Sequence, residues 1–179
     1  MSEKTMLCVA VPTSTLIITK KGDPAKVLVF ESNGKFGNKK LLPGGKVKVG
    51  KQSCLETAIT EAEEEVGIID LTNIKLFTLS SRPNRDVRQV SLEKFLDGSP
   101  APSGLESIGL VVETHHGFDA VYVAETEMEP TPDNEETKNA YFIDARSVNQ
   151  HEFALDHGRL VNAYARFLKT GELPALDEF

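Results

Sequence analysis

The segment from Ser53 to Gly67 constrains the fold more than any other stretch of the chain. Ser53 followed by Glu56 is a capping box: hydroxyl and carboxylate reciprocally satisfy backbone N–H groups that a helix start leaves open. Leu55, Ala58, Ile59, Ala62 and Val66 recur at helical spacing and form one apolar stripe. Gly67 supplies a left-handed stop. The spacing predicts an amphipathic helix over about 54–66, which needs a partner layer to cover its stripe.

The surrounding sequence supplies strands for that layer. Apolar, β-branched runs predict strands at 6–19 (interrupted at Pro12-Thr13-Ser14), 26–31, 46–49, 74–79, 108–114, 119–126 and 140–143. A second helix is expected over 153–168, stopped at Lys169-Thr170-Gly171. Residues 82–104, with Arg-Pro-Asn-Arg-Asp and Gly-Ser-Pro-Ala-Pro-Ser-Gly, read as loop-rich, with a short element near 90–96. Strands with few helices and no strict alternation point to an α/β fold, a mixed sheet with helices on its faces. At 179 residues a single domain is expected, with a loosely ordered tail over 173–179.

Charge narrows the function. Lys and Arg number 20 against 27 Asp and Glu, a formal charge of −7. This argues against a nucleic-acid binder that works by a basic surface. A polyanionic substrate would need local neutralisation, by a divalent cation or a few placed basic groups. Cys8 and Cys54 have no metal-type spacing and read as free thiols. No stretch approaches 18 apolar residues and the first residues lack a long apolar run, so a cytoplasmic chain without a membrane partner is expected.

On the bounded helix, Glu61, Glu64 and Glu65 stand at i, i+3 and i+4 and share a face, expected on the far side from the apolar stripe. Glu63 points elsewhere. Like charges at this spacing repel unless a cation sits among them, and carboxylates suit Mg²⁺ or Mn²⁺. A solvated acidic face is the competing reading. Pro43-Gly44-Gly45 before the helix lets backbone approach a ligand with no Cβ in the way.

Leu42-Pro43-Gly44-Gly45 and Glu61-Ala62-Glu63-Glu64-Glu65-Val66-Gly67-Ile68 together resemble the Nudix box, G-x5-E-x7-R-E-U-x-E-E-x-G-U, over about residues 44–68. The resemblance extends over roughly 6–169. It implies the Nudix fold, an α/β/α sandwich with a central mixed β-sheet. It also implies Mg²⁺- or Mn²⁺-dependent hydrolysis of a nucleoside diphosphate linked to another group, such as ADP-ribose, a dinucleotide or a nucleotide sugar. By position, Glu61 would be the base or a metal ligand, Glu64 and Glu65 metal ligands (Glu64 also grouped with the catalytic residues), and the Gly44 carbonyl would complete the site. Two positions depart from the pattern. The stretch from Gly45 to Glu61 is one residue longer, so the first Glu falls on Lys51 or Gln52, and the Arg is Thr60. In the family these two side chains help hold the loop and orient the catalytic Glu. Their joint loss leaves no unpaired charge, and it motivates an alternative: a nucleotide-binding or regulatory module without turnover.

Further residues stand beside this set. Arg82, Arg85 and Arg88 are candidates for phosphate contacts within an expected insertion over 82–110, which could instead serve substrate choice or a homodimer contact. Glu125 is a candidate extra metal ligand, and Glu135 and Glu136 lie where relatives place a catalytic base. His115 and His116 read as loop residues, His157 as a structural residue at a helix start, and Cys54 as inert.

Overall fold

The computed structural model describes residues 6–34, 36–48, 50–91, 111–132 and 137–175. In chain order the elements are β1 (Met6–Lys20), β2 (Asp23–Ser32), β3 (Lys40–Leu41), β4 (Gly44–Lys46), α1 (Cys54–Val66), β5 (Thr72–Ser91), β6 (Val111–Thr126), β7 (Thr137–Asp144) and α2 (His157–Thr170). Two 3₁₀ turns, Ala145–Ser147 and Gln150–Glu152, separate β7 from α2. The chain divides into two compact units: Pro12–Ser80 with Asp119–Phe179, and Met1–Val11 with Ser81–Phe118. The second contains, among the described residues, only parts of β1, β5 and β6.

The sheet order is β3-β2-β1-β6-β5, with β4 paired to β1 and β7 to β2. β2 runs antiparallel to β1, β3 and β7, and β4 antiparallel to β1. β1 and β6 run parallel: Thr13 bonds Asp119, Ser14 bonds Ala120, Thr19 bonds Ala124, and Lys21 N–H bonds Thr126 O. The sheet is therefore mixed, as the uneven alternation of strands and helices implied.

Strand alternation divides the larger unit's core. Ile17, Val27, Val29, Phe77 and Val121 face α2, where they pack with Leu160, Val161, Ala163 and Tyr164. Phe77 meets the Tyr164 and Phe167 rings edge-on at 5.8 and 5.7 Å between centroids, and burial pushes the Tyr164 phenol up to about 12. Leu16, Ile18, Leu28 and Phe30 face α1, against Ala58, Ala62, Val66 and Ile68. This is the α/β/α sandwich.

Helix α1 begins and ends where its local signals place it. Both reciprocal bonds of the Ser53–Glu56 box are made, and Gly67 stops the helix at φ 68° with its N–H on the Ala62 and Glu63 carbonyls. The Gly67 site has no room for a side chain either: a Cβ would stand 2.1 Å from Thr131 Oγ1 and 2.7 Å from the Thr131 carbonyl oxygen. Gly67→Ala should therefore lower stability by about 2 kcal/mol or more, left-handed strain plus the clash, read from urea unfolding.

The structure corrects several expectations. β1 runs unbroken through Pro12-Thr13-Ser14, and β6 unbroken through His115 and His116, neither of them a loop residue. Residues 82–91, expected as loop, continue β5; sheet pairing overrides their turn-forming composition. Arg82, Arg85 and Arg88 therefore lie on a strand rather than in a loop. The second helix starts at His157 rather than Phe153. Residues 92–110, including the rest of the expected insertion, and 176–179 of the tail lie outside the described residues, as do Glu135 and Glu136.

Candidate active site

The most informative correction concerns the buried side of α1. Thr57, Ala58, Ala62 and Val66 are buried, whereas Leu55 and Ile59 are 37% and 36% exposed. At about 100° per residue, the mean direction of the buried arc is rotated by roughly 40° from that of the stripe read in the sequence. Glu65, seven residues after Ala58, lies nearly two full turns on and shares its side. Glu61 and Glu65 are consequently half-buried and directed toward the sheet, not to the far side, while Glu63 and Glu64 are exposed. A wholly solvated acidic face is excluded for two of the three acids.

What receives them is the short strand β4. Glu65 Oε2 accepts the Gly44 N–H at 3.0 Å. Glu61 presses its carboxylate onto Gly45, where an added Cβ would stand 2.1 Å from Oε1 and 2.4 Å from Cδ. Gly44 is equally crowded from the other side: a Cβ there would meet Ser14 O at 2.5 Å and Thr15 Cα at 2.9 Å. The two glycines are thus required by close approach, Gly44 to the sheet and Gly45 to the helix. The ladder opposes Thr15 to Gly44, Ser14 to Gly45 and Thr13 to Lys46.

Three further contacts fix this loop, none of them read from the sequence. Leu16 N–H donates to Pro43 O at 2.8 Å. Leu42 N–H donates to Nδ1 of the buried His157 at 2.9 Å, so this imidazole nitrogen carries no proton and α2 holds the strand leading into the glycines. Thr13 and Thr15 hydroxyls donate to the two carboxylate oxygens of the fully buried Asp119, at 3.0 and 2.8 Å. The alternating Thr13-x-Thr15 was the available signal for that last bond. His157→Phe should cost about 1–3 kcal/mol in urea unfolding, because the buried Leu42 N–H loses its acceptor, and His157→Gln, which retains an acceptor oxygen, should cost less.

Glu125 stands apart. Glu125 accepts from Asn73 Nδ2 at 2.8 Å. It follows Val121 and Val123 in the strand alternation, on the sheet face of α2, so the structure does not bring it to Glu61 and Glu65. Arg82, Arg85 and Arg88 belong to the smaller unit. Cys54 is a half-buried free thiol.

Among the described residues no three His, Cys, Asp or Glu side chains converge into a self-sufficient metal cage. The donors fit Mg²⁺ or Mn²⁺ nonetheless. Mg²⁺ keeps several waters and is usually held by one or two carboxylates plus substrate phosphates. Glu61 and Glu65, one turn apart against a glycine backbone, offer that hard-oxygen set.

The NUDIX domain family model matches residues 11–168. The chain belongs to the NUDIX domain family. Solved structures share the fold at low identity. The NUDIX domain of Shewanella oneidensis NrtR, complexed with ADP ribose, is 17% identical with a TM-score of 0.61, the match covering 95% of this chain and 91% of that one. A putative nudix hydrolase family member from Chromobacterium violaceum is 17% identical with a TM-score of 0.57, over 92% and 82% of the two chains. A UDP-X diphosphatase is 16% identical with a TM-score of 0.53, over 94% and 68%. No curated protein matches the sequence. Gly44 and Gly45 are in contact with Glu65 and Glu61, residues on which the resemblance to the box rests.

Proposed function

We propose that this NUDIX protein is a Mg²⁺- or Mn²⁺-dependent hydrolase of a nucleoside diphosphate linked to a second group, with ADP-ribose-like compounds, dinucleotides and nucleotide sugars ahead of nucleoside triphosphates. One observation carries the reading: two half-buried carboxylates, Glu61 and Glu65, are held against paired glycines rather than left in solvent. Family membership supplies the reaction class, and neighbours described with ADP ribose and as a UDP-X diphosphatase share the fold.

In this reading Glu61, Glu64, Glu65 and the Gly44 carbonyl hold the cation, and Glu61 also serves as the candidate base. A bound Mg²⁺ offsets the diphosphate charge and lowers the pKa of the attacking water. That explains how a chain with a formal charge of −7 accepts a polyanion. Glu65 orients the loop through the Gly44 N–H, and Gly45 leaves Glu61 its position. Water attacks one phosphorus, and the bridging P–O bond breaks to give a nucleoside monophosphate and the phosphorylated second group. The reading does not need Glu125, whose carboxylate serves Asn73, nor Arg82, Arg85 and Arg88.

A panel of ADP-ribose, NADH, nucleotide sugars and (d)NTPs with Mg²⁺ or Mn²⁺ tests this. Turnover of at least one diphosphate compound, abolished by EDTA, is expected. The uncharged Gln52 and Thr60 favour a second reading, a nucleotide-binding module; stoichiometric ligand binding by calorimetry with no product over hours would establish it and end the first.

A further inference from the structure

The connection between β4 and α1 is tied at both ends to one turn of the helix. At its start Gly45 lies against the Glu61 carboxylate. At its end Gln52 Nε2 donates to Thr60 Oγ1 at 3.2 Å. In between, Val47 N–H donates to Pro12 O at 3.0 Å, and the Lys51 and Gln52 N–H groups donate to Lys48 O at 2.9 and 3.0 Å. The connection thus turns back on itself, and Gln52 ties it to the body of α1. Both Gln52 and Thr60 are half-buried. Thr57, earlier on the helix, turns its hydroxyl back onto the Ser53 carbonyl at 3.0 Å, the common habit of helical threonines. Thr60 accepts from the loop instead.

We propose that Gln52 and Thr60 are positioning residues, an uncharged clasp that holds the Gly44–Gly45 loop at its distance from Glu61. Thr60 stands at the pattern's Arg position and Gln52 is one of the two residues on which its first Glu falls, and they meet each other despite the extra residue in the loop. A neutral pair brings no cation of its own to Glu61, Glu64 and Glu65. Hydrogen bonding between neutral groups is weaker than a charged pair, so the loop is fixed less firmly and reports any weakening clearly. The clasp deepens the hydrolase reading and rests on it for its kinetic consequence, but not for its effect on the loop.

The test uses the full chain with Thr60→Val, which keeps shape and loses the hydroxyl, Gln52→Met, the double variant, and Thr60→Ser, which keeps the hydroxyl. Amide hydrogen exchange over residues 46–52 is followed without metal, and kcat and KM are measured on the best substrate of the panel. Each single loss should speed exchange at least threefold and lower kcat at least threefold with KM changed less than twofold. The double variant should be no worse than either single, and Thr60→Ser should match the parent. Unchanged exchange in Thr60→Val, or additive effects in the double variant, would overturn the clasp. If the parent turns nothing over, the hydrolase reading falls, and exchange alone still decides whether Gln52 and Thr60 hold the loop.

Discussion

Glu65→Gln should lower turnover by at least about a hundredfold, the scale of losing a catalytic electrostatic group, and leave the fold intact. The separation of the two effects follows from the contact Glu65 makes. Its Oε2 accepts the Gly44 N–H at 3.0 Å, and a glutamine retains an amide oxygen for that bond. What disappears is the charge. Stability should stay within about 0.5 kcal/mol of the parent, with a gain of a few tenths from relieving Glu61–Glu65 repulsion at i, i+4. Glu63→Gln is the control: same helix, same charge change, exposed side. Steady-state kinetics and urea unfolding on the pair separate a cation site from a generally acidic helix. Equal activity in both variants would reduce the box to ancestry.

Gly45→Ala should be nearly as damaging by a different route. Its added Cβ would stand 2.1 Å from Glu61 Oε1 and 2.9 Å from Oε2, both at the free end of a flexible side chain. The backbone at Gly45 is not in the left-handed region, so alanine fits the main chain and the strain falls on the carboxylate, which must swing away. A displacement of about 1 Å at a reacting group costs on the order of a hundredfold. The expected result is a tenfold to hundredfold loss of turnover with little change in urea midpoint. Gly44→Ala gives the opposite pattern, because its Cβ would meet Ser14 O at 2.5 Å and Thr15 Cα at 2.9 Å, backbone atoms that cannot give way cheaply. It should unfold at lower urea. A Gly45→Ala/Glu61→Gln double variant should be no less active than Glu61→Gln alone, since both act on one carboxylate.

The helix that carries the box was legible because its signals are local. Ser53, Glu56 and Gly67 act on backbone groups within a few residues, and the structure places each bond they imply. The facing of that helix was not legible. Leu55 and Ile59 read as core but stand partly in solvent, while Glu61 and Glu65 turn inward, because β4 presents two side-chain-free residues where a carboxylate fits. That is a tertiary fact which no helical period contains. The same holds for residues 82–91, where Pro83, Asn84 and Asp86 signal turns but the chain stays extended in β5. The departures at Gln52 and Thr60 were visible as missing charges; that the two residues bond each other depends on how the longer loop closes. His157 was read as structural. Its partner, the Leu42 N–H 115 positions away, required the fold.

The central claim is that Glu61 and Glu65, with the loop they hold, form one cation site. Titration of Mn²⁺ into the protein, followed by the electron paramagnetic resonance of the free ion, addresses it without any substrate. The parent chain should bind Mn²⁺ with an affinity at least tenfold above that of Glu61→Gln and Glu65→Gln, and Glu63→Gln should bind as the parent does. If all four proteins take up Mn²⁺ equally, the inward-turned carboxylates of α1 are not a metal site and the account fails.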